Sequence, residues 1–202
     1  MTRRLANLNE LSASNRPKYN PNAYGTGIVH LGVGSFHKAH QAYYTDKILE
    51  KSGGDWRIMG VSLRSNDAQN QLRPQNGLYT LLIKGGMGTT SRVIGSIVDV
   101  LSASKNSEPA IQAMVNKNIK IVSLTVTEKA YGLNLSNLGC NINHADIAYD
   151  LKNFHSPRGV LGIVTKALAI RKLKKTPPFT VLCCYNLPNN GKLLRSAVID
   201  FS

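Results

Sequence analysis

Three short segments and one isolated arginine carry the residue types that could do chemistry. The first segment is Gly32-Val33-Gly34-Ser35-Phe36-His37, which follows the apolar run Gly27-Ile28-Val29-His30-Leu31 and opens a helical pattern. A strand, a glycine turn and a helix in that order make an anion site. Gly32 admits a tight turn, and Gly34, lacking a side chain, lets a pyrophosphate approach the backbone. The exposed N–H groups at the helix start then hold the anion. Ser35, Phe36 and His37 complete the candidate cofactor-binding set. The generic dinucleotide fingerprint has a third glycine where His37 stands, because helix and strand pack closely there. From the turn alone, dinucleotide binding and an ordinary turn are both open.

The arginine is Arg64, at the end of the second apolar run, Ser62-Leu63-Arg64-Ser65. A dinucleotide site places an acid near here, about 20 residues past the glycines, to bind the ribose hydroxyls. The nearest acid is Asp67. Arginine can instead face a 2′-phosphate, so the residues leave NAD and NADP both open. The second segment, Thr125-Val126-Thr127-Glu128-Lys129, ends a β-branched run. Ligands of open α/β sheets bind beyond the carboxyl ends of the strands, which makes Glu128 a candidate site residue; a loop ion pair with Lys129 is the plainer alternative. The third segment is Asn186-Leu187-Pro188-Asn189-Asn190-Gly191. An amide at Asn186 can donate to a substrate oxygen that gains negative charge during reaction, although Asn, Pro and Gly also simply build turns. His37 and His40 are three apart and could share a helix face, but no third ligand accompanies them, so no metal site is expected.

The elements that must position these residues follow from periodicity. Strands are expected at Gly27–Gly32, Trp56–Leu63, Ile119–Thr125 and Phe179–Cys184, each a continuous apolar run. Helices are expected at Ser35–Lys51, Asn66–Leu72, Glu108–Asn118, Ala145–Lys152, Pro157–Lys174 and from Gly191 onward. Val160, Leu161, Val164, Leu168 and Leu173 would form the buried face of the fifth. Gly77–Ile83 and Arg92–Leu101 read as strands around a Gly85–Gly88 turn, an antiparallel hairpin that interrupts the alternation. Strands separated by helices indicate an α/β fold of the Rossmann type, a mainly parallel sheet covered by helices on both faces. Residues 1–26, polar and broken by Pro17 and Pro21, read as a lead-in, and 27–202 as the dinucleotide-binding domain.

Composition sets outer limits. The 202 residues are 42% hydrophobic and 18% charged, enough to bury a core. No apolar run approaches the roughly 18 residues of a membrane span, and no apolar h-region follows the basic start. Cys140, Cys183 and Cys184 form no disulfide framework. A cytoplasmic protein with reduced thiols is expected. The net charge of +14 raises a basic nucleic-acid-binding protein as a rival. The cations are scattered, however, and the densest run, Arg171-Lys172-Leu173-Lys174-Lys175, reads as a solvated helix end.

The segments taken together resemble one family, the polyol-specific long-chain dehydrogenases, which include mannitol 2-dehydrogenase, fructuronate reductase and tagaturonate reductase. The resemblance rests on Ile28 through Gln41, with its Gly32-Val33-Gly34-Ser35-Phe36-His37 core. It continues through Gln75-Asn76-Gly77-Leu78-Tyr79-Thr80-Leu81, Ser123 through Lys129, and Pro177 through Gly191, in the family's order. In that family a phenylalanine and a histidine follow the second glycine, so His37 fits the family where it departs from the generic fingerprint. The resemblance implies NAD as cofactor, with NADP open. It implies hydride transfer between the nicotinamide and a sugar alcohol, ketose or keto-sugar acid. Asn186 would donate to the carbonyl oxygen, and Glu128 would line a proton path. Tyr185 departs from the aspartate usual before Asn-Leu-Pro. Family members continue into a helical C-terminal domain that carries the catalytic lysine, and no lysine here matches it. The expectation is therefore an N-terminal cofactor domain, inactive or nearly so alone, that would need a separate C-terminal-domain polypeptide. A non-catalytic dinucleotide-binding remnant and half of a split enzyme are the alternatives.

Overall fold

The computed structural model describes residues 8–12, 15–86, 88–126, 131–134 and 139–202. Five strands form one parallel sheet: β1 (Thr26–Leu31), β2 (Arg57–Ser62), β5 (Ile97–Ser102), β6 (Ile121–Leu124) and β9 (Thr180–Cys183). Their spatial order is β5-β2-β1-β6-β9, every pairing parallel. Counted along the chain that order is 3-2-1-4-5, the doubly wound arrangement that reverses direction between β1 and β6. Central strands buried on both faces are mostly apolar, and Ile28, Val29 and Leu31 of β1 are all buried.

Helices cover both faces. On one face lie α1 (Ser35–Ala39), α2 (Gln41–Ser52) and α3 (Asp67–Leu72); on the other lie α4 (Glu108–Val115), α6 (Val160–Leu173) and α7 (Asn190–Phe201). The first face joins Ala42, Ala68 and Leu72 to Ile28 and Ile58. The second joins Ile111, Met114, Leu161, Val164, Leu194 and Phe201 to Val29, Leu31, Val122 and Leu124. A short helix, α5 (Ala145–Lys152), precedes α6, and two-residue strands β7 (Leu133–Asn134) and β8 (Gly139–Cys140) pair antiparallel.

Several local expectations change. The Ser35–Lys51 helix is two helices, because His40 leaves helical backbone (φ −120°, ψ −81°). Tyr79 Oη donates to the Lys38 carbonyl at 2.5 Å, occupying the acceptor that an unbroken helix would offer to residue 42. The hairpin β3 (Tyr79–Gly85)–β4 (Gly88–Ile94) is antiparallel as read, but it ends at Ile94. The chain then turns at Gly95-Ser96, and β5 joins the parallel sheet beside β2. Asp46 of α2 fixes this corner. It is fully buried and accepts from Arg92 at 2.6 Å, Tyr19 Oη at 2.6 Å and the Gly95 N–H at 2.9 Å.

The basic run at the end of α6 is not uniformly solvated. Arg171 is 2% exposed and donates to the carbonyls of Met114, Asn116, Ile119 and Pro177. Its cation thereby satisfies the carbonyls at the C-terminal end of α4, where a positive charge is favoured. Leu173, expected on the buried face, is 84% exposed. Among the described residues no helix is long and apolar enough to cross a membrane.

Candidate functional site

The glycine turn leaves β1 at the point where the strand order reverses. In doubly wound sheets that reversal point is where ligands bind, beyond the carboxyl ends of the strands. Gly32 has φ +99°, a conformation that L side chains rarely adopt, and a Cβ there would lie 3.2 Å from Thr125 Oγ1. Gly34 has ordinary extended backbone (φ −102°, ψ −176°). A Cβ on Gly34 would meet only the Gly32 carbonyl, at 4.0 Å. Nothing in the fold therefore forbids a side chain at Gly34, and the space above it is open. Gly34 precedes α1, so the N–H groups of Ser35, Phe36 and His37 begin a helix and lack intrahelical acceptors.

Behind the turn lies a buried polar cradle. Parallel register pairs His30 of β1 with Ser123 of β6, which sets Thr125 beside Gly32. The Gly32 carbonyl accepts from Gly34 N–H at 2.8 Å and from Thr125 Oγ1 at 2.7 Å. His30 Nε2 lies 2.9 Å from Thr125 Oγ1 and 3.2 Å from the same carbonyl, and its Nδ1 lies 2.8 Å from Ser123 Oγ. The carbonyl can only accept, and the Thr125 proton is already committed to it. With Thr125 donating to the carbonyl, the His30 proton sits on Nε2 and Nδ1 accepts from Ser123, whose hydroxyl also lies 3.4 Å from Gln41 Oε1. His37 stacks on His30, ring centroids 3.5 Å apart, and its Nδ1 meets Gln41 Oε1 at 3.1 Å. Both rings are fully buried. Burial holds the His30 pKa well below the ordinary histidine value, with the adjoining His37 adding to the effect. Burial likewise lowers His37 to about 4. Both imidazoles are neutral at pH 7.

The structure brings Gly32, Gly34, Ser35, Phe36 and His37 together as the sequence expected, but they face different ways. His37 turns inward onto His30, whereas Phe36 is 57% exposed and stacks on His40. Arg64 is exposed just past the end of β2. With Leu63, Ala103, Ser104, Arg158 and Val160 it lines a polar cavity of about 370 Å³. That cavity lies at the same carboxyl edge of the sheet as the glycine turn. Asn186 is exposed in the turn after β9, which Asn190 Nδ2 ties down by donating to Tyr185 O at 2.7 Å and Cys183 O at 3.3 Å. Glu128 and its neighbour Lys129 lie outside the described residues. His30, Ser123 and Thr125 escaped the sequence reading. The available signal was a histidine and a serine inside otherwise apolar central runs, where a buried polar group requires a partner.

Beside the turn, on the α2 face of the sheet, runs an apolar groove of about 720 Å³ lined by Phe36, Tyr44, Ile48, Trp56 and Leu182. Right-handed crossovers carry the helices after β6 and β9 to the opposite face, so this stretch of sheet has no helix over it among the described residues.

Residues 26–202 match the family model for the mannitol dehydrogenase Rossmann domain. The chain belongs to the mannitol dehydrogenase family. It is 40% identical over 199 residues to the mannitol 2-dehydrogenase of Pyrenophora tritici-repentis, a match covering 97% of this chain and 35% of that protein. Among solved structures, it superposes on the Pseudomonas fluorescens mannitol 2-dehydrogenase ternary complex with NAD and D-mannitol with a TM-score of 0.90 at 41% identity. That match covers 98% of this chain and 41% of that one. A D-sorbitol dehydrogenase in substrate-free form gives a TM-score of 0.88 at 35% identity, covering 95% and 41% respectively. The chain thus spans well under half the length of the mannitol dehydrogenases it matches.

Proposed function

We propose that this chain is the dinucleotide-binding part of an NAD(P)-dependent polyol dehydrogenase, with NAD the first cofactor to test. The observation that carries the reading is the glycine turn at the reversal point of a 3-2-1-4-5 sheet, with open space above Gly34. A pyrophosphate fits that space, since the turn offers N–H donors and no side chain intrudes. Bound there, the nicotinamide would supply or take the hydride exchanged with a sugar alcohol, ketose or keto-sugar acid. The chain's own groups bind and orient. The backbone from Gly34 to His37 holds the phosphates. Arg64 stands at the adenosine side and would contact the ribose or a 2′-phosphate. Asn186, beyond β9 at the carboxyl edge, would donate to the substrate oxygen as negative charge gathers on it. Glu128 would line the proton path.

A second reading shares the binding site and differs in chemistry: a non-catalytic dinucleotide binder, or the cofactor half of an enzyme completed by another polypeptide. The exposed apolar groove beside the turn supports the second form, as a surface that another polypeptide would cover. Three free cysteines fit the reducing conditions of the cytoplasm.

The test is to assay the purified chain beside a chimera that continues into the unmatched portion of the Pseudomonas fluorescens enzyme. The chain alone should bind NADH without oxidising mannitol. The chimera should turn over, and Asn186→Ala should lower its kcat by about 10²-fold. Failure of the lone chain to bind NADH or NADPH would overturn the reading. Strong, salt-sensitive DNA binding without a dinucleotide response would point instead to the basic surface.

A further inference from the structure

The cradle behind the turn centres on one atom, the Gly32 carbonyl oxygen. Gly34 N–H, Thr125 Oγ1 and His30 Nε2 reach it at 2.7–3.2 Å. Ser123 fixes His30 from the other side at 2.8 Å, and His37 packs flat against it. One donor would satisfy this half-buried carbonyl; three, two of them side-chain groups, hold its direction. With Gly32 at φ +99°, fixing that carbonyl inward also fixes the peptide planes that follow, so the N–H groups beyond Gly34 point outward.

We propose that Thr125 and His30 are positioning residues for the phosphate-binding turn, holding the Gly32 carbonyl inward so that the turn is preformed before a pyrophosphate arrives. The inference rests on the dinucleotide reading for its consequence, but its geometry can be tested without any ligand. It gives a reason for the buried polar residues His30 and Ser123 in two largely apolar central strands. It also places a determinant of the turn's shape just past the end of β6, 93 residues from Gly32.

Binding of ADP and of adenosine is measured by calorimetry on the wild-type chain and on Thr125→Val and Thr125→Ser. Alongside, hydrogen exchange is followed at the Gly34 amide, with the Ile58 amide in β2 as an internal reference. Valine keeps the shape and removes the donor; serine keeps the donor. Losing one such bond should weaken ADP binding about fivefold, leave adenosine binding within about twofold, and speed exchange at Gly34 but not at Ile58. Serine should restore all three to wild-type values. His30→Phe, which keeps a ring against His37 but removes the Nε2 donor, should act in the same direction as Thr125→Val. Equal weakening of ADP and adenosine, or no rescue by serine, would reduce Thr125 to a packing residue and overturn the proposal. An unchanged Gly34 amide in Thr125→Val would do the same. If the wild-type chain binds neither ADP nor NADH, the dinucleotide reading fails, and the Gly34 exchange alone decides whether Thr125 and His30 shape the turn.

Discussion

The two glycines of the turn should fail in different ways when each is replaced by alanine, and the structure fixes which way. At Gly34 the backbone is extended and a methyl would have no neighbour nearer than 4.0 Å. Gly34→Ala should therefore fold with stability within about 0.5 kcal/mol of wild type. The same methyl would project toward the space assigned to the pyrophosphate. An anion displaced by about an ångström loses good geometry to one or more backbone N–H groups. A charge-assisted bond contributes about 1.5–3 kcal/mol, so NADH affinity should fall about 10- to 100-fold. At Gly32 the positive φ costs an L residue about 1–2 kcal/mol, and the methyl would press on Thr125 Oγ1 and the Thr125 carbonyl at 3.2 and 3.3 Å. Gly32→Ala should thus lower the melting temperature, by about 2–4 °C for each kcal/mol lost in a chain of this size. Thermal unfolding monitored by circular dichroism, together with NADH fluorescence titration on both variants, separates the effects. A Gly34→Ala chain that binds NADH within twofold of wild type would refute the assignment of the space above Gly34 to phosphate.

Further outcomes follow from groups outside the turn. His37, with its pKa depressed to about 4, takes up a proton more readily unfolded, near the ordinary 6.5, than folded. Its contribution is complete above pH 6.5 and is lost as pH falls toward 4, on the order of 3 kcal/mol. His30 acts in the same direction, so urea midpoints should fall steeply across that window, and His37→Phe should flatten the fall. Arg171→Met leaves the carbonyls of Met114, Asn116, Ile119 and Pro177 without their shared donor and should cost about 3 kcal/mol or more in urea unfolding. Lysine should not restore it, since one ammonium cannot span the set that the guanidinium fork reaches. The exposed apolar groove should make the isolated chain self-associate. Ile48→Asp with Leu182→Asn should raise the monomer fraction in light scattering without changing the circular dichroism spectrum.

The sequence announced the sheet because β1, β2, β6 and β9 are apolar runs set between helical patterns. It announced the turn because Gly32 and Gly34 follow the first run directly. The break at His40 was hidden, since the bond that takes the Lys38 carbonyl there comes from Tyr79 Oη, 41 residues away. Arg171 looked like one more lysine-rich surface cation because nothing local marks it; its partners lie at the end of α4 and beyond. The cradle was hidden for the same reason. His30, Ser123 and Thr125 become neighbours only through the β1–β6 register. A reading that asked where a histidine in a central strand finds its hydrogen bonds would have looked for them on the adjacent strand. Glu128 was placed by its position after β6, and its role is open to test by Glu128→Gln in the chimera.

The most direct measurement is an NADH titration of the isotope-labelled chain followed by amide resonances. Saturable shifts should concentrate at Gly32 through His37 and around Arg64, with Ile111 and Met114 on the opposite face unmoved. Saturable binding whose shifts avoid the glycine turn, or no binding at all, would contradict the assignment of this turn as the cofactor's phosphate site.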